Sequence, residues 1–268
     1  MPIECRFDVC PADQQSFYGI DHQVMRHVFD VHNLFGRFCD EKIYQKALVE
    51  RCALIMQSVL EQAEVLVTHQ SFIKTYYLDM VVNNGVVYEL KVADALAGRH
   101  QKQLINYLLL AGIPHGKLIN FRPGSVEHRF VSSSLTAVER RNWTLVDEGW
   151  SGTGATSRNF LMLLKDILSD WGTHLDIDLY REALLCLLGG PPAGLGSVPI
   201  MDQGRIIGQQ KLCLLDEQAG WHISAVRNHV RGYASHLEKM FMLTNLSRFH
   251  WINMNGGAIT IKTLRKSF

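Results

Sequence analysis

The sequence contains no CxxC pair and no tight cluster of histidine with cysteine, although it holds six cysteines, Cys5, Cys10, Cys39, Cys52, Cys186 and Cys213. Zinc and iron–sulfur ligation therefore have no framework, and the thiols read as reduced, partly buried groups of a cytoplasmic protein. No apolar run approaches the ~18 residues that a membrane span needs. The opening segment, with Glu4, Arg6 and Asp8, does not read as a signal peptide. A strong charge of either sign is also missing. Net charge is +1, so any nucleic-acid partner must be held by a local patch and not by a global basic field. What is present is a globular composition, 47 % hydrophobic and 20 % charged over 268 residues. That excludes a largely disordered chain and leaves room for one large domain or two small ones.

Residues 14–33 and 41–64 carry apolar side chains at three- and four-residue steps, which predicts two helices. Gly36 supplies a stop between them. Three short strand-like runs follow, at 65–72, 75–82 and 86–92. Asn83-Asn84-Gly85 joins the last two, and Asn-Gly between β-branched runs signals a tight hairpin. A helix is expected over 98–110, and strands over 117–121 and 126–131. A hairpin that feeds a helix crossing to another strand implies an α/β sandwich with a mixed sheet flanked by helices.

The chain then repeats itself weakly. Residues 166–184 align without a gap on 30–48, matching Asp30 with Asp166, Gly36 with Gly172, Asp40 with Asp176, Tyr44 with Tyr180, and Ala47-Leu48 with Ala183-Leu184. Ile252-Asn253 matches Ile119-Asn120. Between these anchors lie strand candidates at 205–215 and 220–226 and a helix candidate at 228–243. The small-residue stretch 150–157 reads as a linker. Two similar domains in tandem are expected, at 1–149 and 158–268.

Alternate residues of a strand share a face, so Glu89 and Lys91 point one way while Leu90 points into the core. A hairpin partner can set Asp79 beside Glu89. An acid alternating with a lysine is ordinarily a solvated face. Here, though, the run Val86-Val87-Tyr88-Glu89-Leu90-Lys91-Val92 is otherwise apolar, and charge embedded in such a strand costs free energy unless paired or liganded. Two carboxylates and the carbonyl of Leu90 suit Mg²⁺ or Mn²⁺. The Lys91 ammonium beside them suits charge stabilisation in phosphoryl chemistry.

Asp79, Glu89-Leu90-Lys91 and Gln103-Leu104-Ile105-Asn106-Tyr107 resemble the PD-(D/E)xK nuclease superfamily, with the QxxxY helix of RecB-type nucleases. Six ordered blocks resemble the bacterial GxxExxY proteins more closely. These are Val31–Gly36, Glu41–Tyr44, Leu78–Val82, Tyr88–Lys91, His100–Leu108 and Gly116–Phe121. One position departs from the family pattern: the glycine three residues before the glutamate is Phe38. The resemblance implies tandem restriction-endonuclease-like α/β/α cores. It also implies a divalent-metal-dependent nuclease acting on DNA in preference to RNA. Glu41, Asp79 and Glu89 would be its metal-binding acids and Lys91 its catalytic lysine. Gln103 and Tyr107, four apart on one helical face, would orient substrate or lysine, with His100 lining the same face. Arg99, Lys102 and Arg122 would supply the local positive patch for a phosphate backbone.

In the second half the alignment puts Ile177 at the place of Glu41, Leu212 at Asp79, His222 at Glu89 and Ser224 at Lys91. The copy is thus expected to keep the fold without the chemistry, serving as structural twin, substrate clamp or docking surface for a protein partner. The competing reading is a non-catalytic nucleic-acid-binding or assembly module of a larger complex.

Overall fold

The computed structural model describes residues 2–152 and 154–266. Thr153 of the expected linker and the last two positions of the expected second domain lie outside the described residues. The chain divides into two compact units, one holding Met1–Thr68 with Ile73–Ala137 and the other His69–Phe72 with Val138–Phe268.

The first unit runs β1 (Ile3–Cys5), α1 (Gln14–Phe35), α2 (Glu41–Cys52), β2 (Val59–His69), β3 (Phe72–Val82), β4 (Val86–Lys91), α3 (Gly98–Ala111), β5 (His115–Asn120) and β6 (Glu127–Ser132). Its six strands lie in sequence order. β4 and β5 are parallel, joined through α3, whereas β1–β2, β3–β4 and β5–β6 are antiparallel. The hairpin turn has positive φ at both Asn83 and Asn84, as a tight turn matched to strand twist requires.

Helix α1 starts where the Asp13 carboxylate accepts the Ser16 N–H at 2.7 Å. It buries Phe17, Val24, Met25, Val28 and Val31, one helical stripe, against Tyr44 and Leu48 of α2. The same core takes Met80, Tyr88, Leu90, Ile119 and Phe121 from the sheet. Gly36 ends α1 at φ +68°, a conformation costly for a residue with a Cβ.

The second expected helix is shorter than its periodicity suggests. It stops at Cys52, and residues 59–64 belong to β2. Ala63, Val65 and Val67 alternate inward along that strand, and pairing beside β3 satisfies a backbone that local spacing alone would wind into a helix.

The second unit runs α4 (Ala137–Arg141), β7 (Thr144–Asp147), α5 (Ala155–Trp171), α6 (Ile177–Leu187), α7 (Pro191–Gly194), β8 (Leu195–Asp202), β9 (Arg205–Asp216), β10 (Ala219–Ser224), α8 (Val230–Met242), β11 (Arg248–Asn255) and β12 (Ala258–Arg265). Strand order is β7-β12-β11-β10-β9-β8. β7 pairs in parallel with β12. The residues just ahead of the expected linker are therefore tied to the second sheet, and the division falls at 137/138 and not at 149/150.

Both units are thus α/β, each with a six-stranded mixed sheet flanked by helices. Several details recur at matched positions. β10 and β11 are parallel, as β4 and β5 are, and Ile223 pairs with Ile252 as Leu90 pairs with Ile119. The Asn120 side chain clasps the Ala93 backbone, accepting at 3.0 Å and donating at 2.7 Å. Asn253 clasps Val226 in the same way at 2.8 and 2.9 Å. Tyr44 donates to the Gly36 carbonyl at 2.8 Å, and Tyr180 to that of Gly172 at 2.8 Å. A buried ion pair of Asp21 with Lys117 in the first unit has a neutral counterpart, Ser157 bonded to His250 at 3.3 Å. Burial pushes the His250 imidazole down to about 4. Among the described residues no helix is long and apolar enough to cross a membrane.

Candidate active site

The β3–β4 hairpin and the N-terminus of α2 build the site. Met80 pairs with Tyr88 across the hairpin, which brings the preceding Asp79 to the following Glu89. Leu90, fully buried, turns into the helical core, and its neighbours Glu89 and Lys91 face the other way. One oxygen of Asp79, Oδ2, accepts the backbone N–H of Leu90 at 2.9 Å. Its other oxygen accepts from Gln62 Nε2 at 3.3 Å. Gln45, buried on α2, donates to the Asp79 backbone carbonyl at 2.9 Å. The Lys91 ammonium donates to Glu89 Oε1 at 2.6 Å and lies 3.8 Å from Asp79 Oδ2. Glu89 is 1 % exposed. Its second oxygen, Oε2, is buried with no hydrogen-bond partner among the described residues, an arrangement that costs free energy unless a ligand completes it.

The charges in this cluster act on each other. Burial first, then the charge of Asp79 with a contribution from Glu41, pushes the Glu89 carboxyl up to about 8 against the opposing pull of Lys91. Burial also raises Asp79 and Glu41 above the usual carboxylate range. Burial pulls Lys91 down, but Glu89, Asp79 and Glu41 together hold it above its ordinary value, so the ammonium persists at neutral pH. Glu41 feels both Lys91 and Asp79, and the Val92 backbone hydrogen-bonds its carboxylate. The helix acid and the two strand acids thus share one electrostatic neighbourhood.

Residues 18–131 match the family model of the PD-(D/E)XK nuclease superfamily. The matched span contains Glu41, Asp79, Glu89, Lys91, Gln103 and Tyr107, and it ends before the second unit begins. It supports a nuclease-like reading of the first unit. Neither the curated proteins nor the solved structures contain a significant match to the chain.

The remaining PD-(D/E)XK candidates divide by placement. Gln103 donates to the Tyr107 hydroxyl at 3.0 Å along α3. The half-buried Tyr107 phenol is raised by burial first, and the charges of Glu89 and Asp79 add to that, so this pair borders the site. His100 is placed differently. It is buried, and its Nδ1 accepts the Ala97 N–H at 3.1 Å as a cap of α3. That engagement leaves it supporting the helix start. Arg99 and Lys102 are exposed and Arg122 is half-buried.

Among the described residues no group of three histidine, cysteine, aspartate or glutamate side chains is arranged to hold a metal ion. The donor set still fits a hard divalent cation. It offers two adjacent carboxylates, a buried oxygen without a partner, and the Leu90 carbonyl between them.

Gln62 and Gln45 are contacts that sequence reasoning missed. Gln62 falls in the stretch whose spacing reads as helix, and its φ of +49° breaks the regular path of β2. Only strand pairing carries its amide to Asp79. At the matched place of the second unit, His222 hydrogen-bonds Tyr233 at 2.6 Å, and Ser224 accepts from Trp251 at 2.9 Å and donates to Asn253 at 2.9 Å.

Proposed function

We propose that the first unit is a divalent-metal-dependent nuclease that hydrolyses phosphodiester bonds of DNA. The observation that carries this reading is the Asp79, Glu89 and Lys91 cluster, with the buried, unpartnered Oε2 of Glu89 at its centre. Asp79, Glu89 and the Leu90 carbonyl would hold Mg²⁺ or Mn²⁺, with Glu41 beside them. When bound, the cation supplies Lewis-acid polarisation of a phosphoryl oxygen and acidifies a water. Gln62 and the Leu90 N–H keep the Asp79 carboxylate from rotating. Lys91, released from Glu89, carries positive charge to the place where negative charge develops on phosphorus. Gln103 and Tyr107 orient the substrate from α3, while Arg99, Lys102 and Arg122 neutralise its backbone.

Cleavage of plasmid DNA with Mg²⁺ or Mn²⁺, run beside Lys91→Ala, tests this reading. The variant should fold and cleave nothing. Equal cleavage by the variant would overturn the reading.

In the same reading the second unit is a silent copy that serves as structural twin or substrate clamp. The recurring Asn clasp, tyrosine latch and strand register support it, together with Leu212, His222 and Ser224 where the first unit has Asp79, Glu89 and Lys91. One observation favours a binding module without chemistry: the Lys91–Glu89 pair occupies the centre of the site. A wild-type protein that binds DNA and leaves it intact with either cation would select that alternative.

A further inference from the structure

The short loop that joins α1 to α2 is held from beneath. The Tyr44 hydroxyl donates to the Gly36 carbonyl at 2.8 Å and accepts the Cys39 N–H at 3.1 Å. The Gly36 N–H closes on the His32 carbonyl at 2.9 Å. A loop latched in this way presents its side chains in a fixed position, and what it presents is apolar. Phe38 is 76 % exposed, with Leu34 at 67 % and Phe35 at 37 % beside it in sequence. Clustered large apolar groups facing water mark a surface that meets a partner.

The chemistry of that partner is written in the cations. The Arg37 guanidinium sits 5.1 Å over the Phe38 ring, and that of Arg51 lies 5.8 Å over Phe35. An aromatic ring accompanied by guanidinium groups offers a π-face and phosphate-pairing charge together. The loop also runs straight into α2, whose first residue is Glu41, three positions after Phe38. The second unit shows that the latch does not need the aromatic. Tyr180 makes the same bond there, yet the places of Arg37 and Phe38 hold Thr173, fully buried, and His174, half-buried. The exposed ring belongs to the unit that carries the acids and the lysine.

We propose that Phe38, with Arg37 against it, is a stacking platform for an unpaired nucleobase, so that the first unit takes single-stranded or frayed nucleic acid in preference to closed duplex. This rests on the nuclease reading and specifies its substrate. Bases inside a closed duplex have both faces covered by their neighbours. An unpaired base has a free π-face, and stacking on it tolerates any sequence.

The test uses the full chain in EDTA, where binding is read without cleavage. The probe is a fluorescein-labelled single strand of about 15 nucleotides, compared by anisotropy with the same strand in duplex. Phe38→Ala should weaken single-strand binding about 10-fold, leave duplex binding unchanged, and be rescued by Phe38→Trp. Equal single-strand affinity of wild type and Phe38→Ala would overturn the platform, as would equal losses on both probes or a failed rescue. Wild-type protein that binds neither probe would overturn the platform, while the nuclease reading stands or falls separately on plasmid cleavage with Mg²⁺ or Mn²⁺. Wild type that cleaves in that assay and binds the single strand in EDTA, with no effect of Phe38→Ala, would remove the platform alone.

Discussion

Glu89→Gln should stabilise the metal-free protein at alkaline pH, by an amount that grows as pH rises. Glu89 is 1 % exposed, and burial, then Asp79, push its carboxyl up to about 8 while Lys91 opposes them. An unfolded glutamate titrates near ~4.3. Between these two values the folded chain keeps a proton that the unfolded chain has released. Fewer protons bound in the unfolded state means that stability falls as pH rises. Glu89's contribution is therefore intact below the unfolded value and gone once pH has passed the folded value. A gap of roughly 3.5 units at ~1.36 kcal/mol per unit sets a ceiling of about 5 kcal/mol on the loss. Glutamine removes the ionisation and still accepts a hydrogen bond from Lys91. It also removes Lys91's nearest counter-charge, leaving Asp79 at 3.8 Å, but that attraction is already contained in the folded value of about 8. Part of the ceiling is lost below about pH 5, so the gain expected at about pH 8.5, relative to about pH 5, is on the order of 4 kcal/mol at most.

Urea unfolding in EDTA across that pH range measures it. All five tryptophans, at 143, 150, 171, 221 and 251, lie in the second unit. Their fluorescence follows that unit as an internal control, while circular dichroism follows both. Parallel pH profiles for wild type and variant would show that Glu89 is not the group whose proton is retained. A variant less stable at every pH would show that the Lys91–Glu89 pair outweighs the burial of the acid.

Other outcomes follow from the same geometry. Mn²⁺ affinity measured by calorimetry should rise about 10-fold per pH unit up to the Glu89 value, with proton release and one site per chain, and a pH-independent affinity would contradict the retained proton. Lys91→Ala, which removes the ammonium 2.6 Å from Glu89, should bind Mn²⁺ more tightly than wild type despite its loss of cleavage; weaker binding would show that the lysine helps hold the cation. Asn120→Ala and Asn253→Ala should each cost about 1–2 kcal/mol in urea unfolding, since each strands a half-buried backbone donor and acceptor. A large difference between the two would mean that the two clasps are not equivalent.

Much of this arrangement is local and can be read along the chain. Alternation puts Glu89 and Lys91 on one face and Leu90 on the other because a strand's period is two. Asn83-Asn84-Gly85 names the hairpin because few residues tolerate its backbone angles. With Ile119 set on Ile252, Leu90 falls on Ile223, and Ile223 pairs with Ile252 as Leu90 pairs with Ile119. Local spacing fails at 53–64. A helical apolar rhythm continues past Cys52 there, and the chain goes over to a strand because β3 offers it a ladder.

What only the tertiary structure decides is what each charge meets. Sequence places three acids and a lysine in order. It cannot say that Lys91 closes on one oxygen of Glu89 and leaves the other bare, or that Gln62 arrives from β2 to hold Asp79. Nor does it separate His100, a buried helix cap, from Gln103 and Tyr107 at the rim of the site. Those distinctions rest on burial and on contacts between elements distant in the chain. Desolvation and Coulomb energy depend on distance in space, and composition and periodicity carry no measure of that distance.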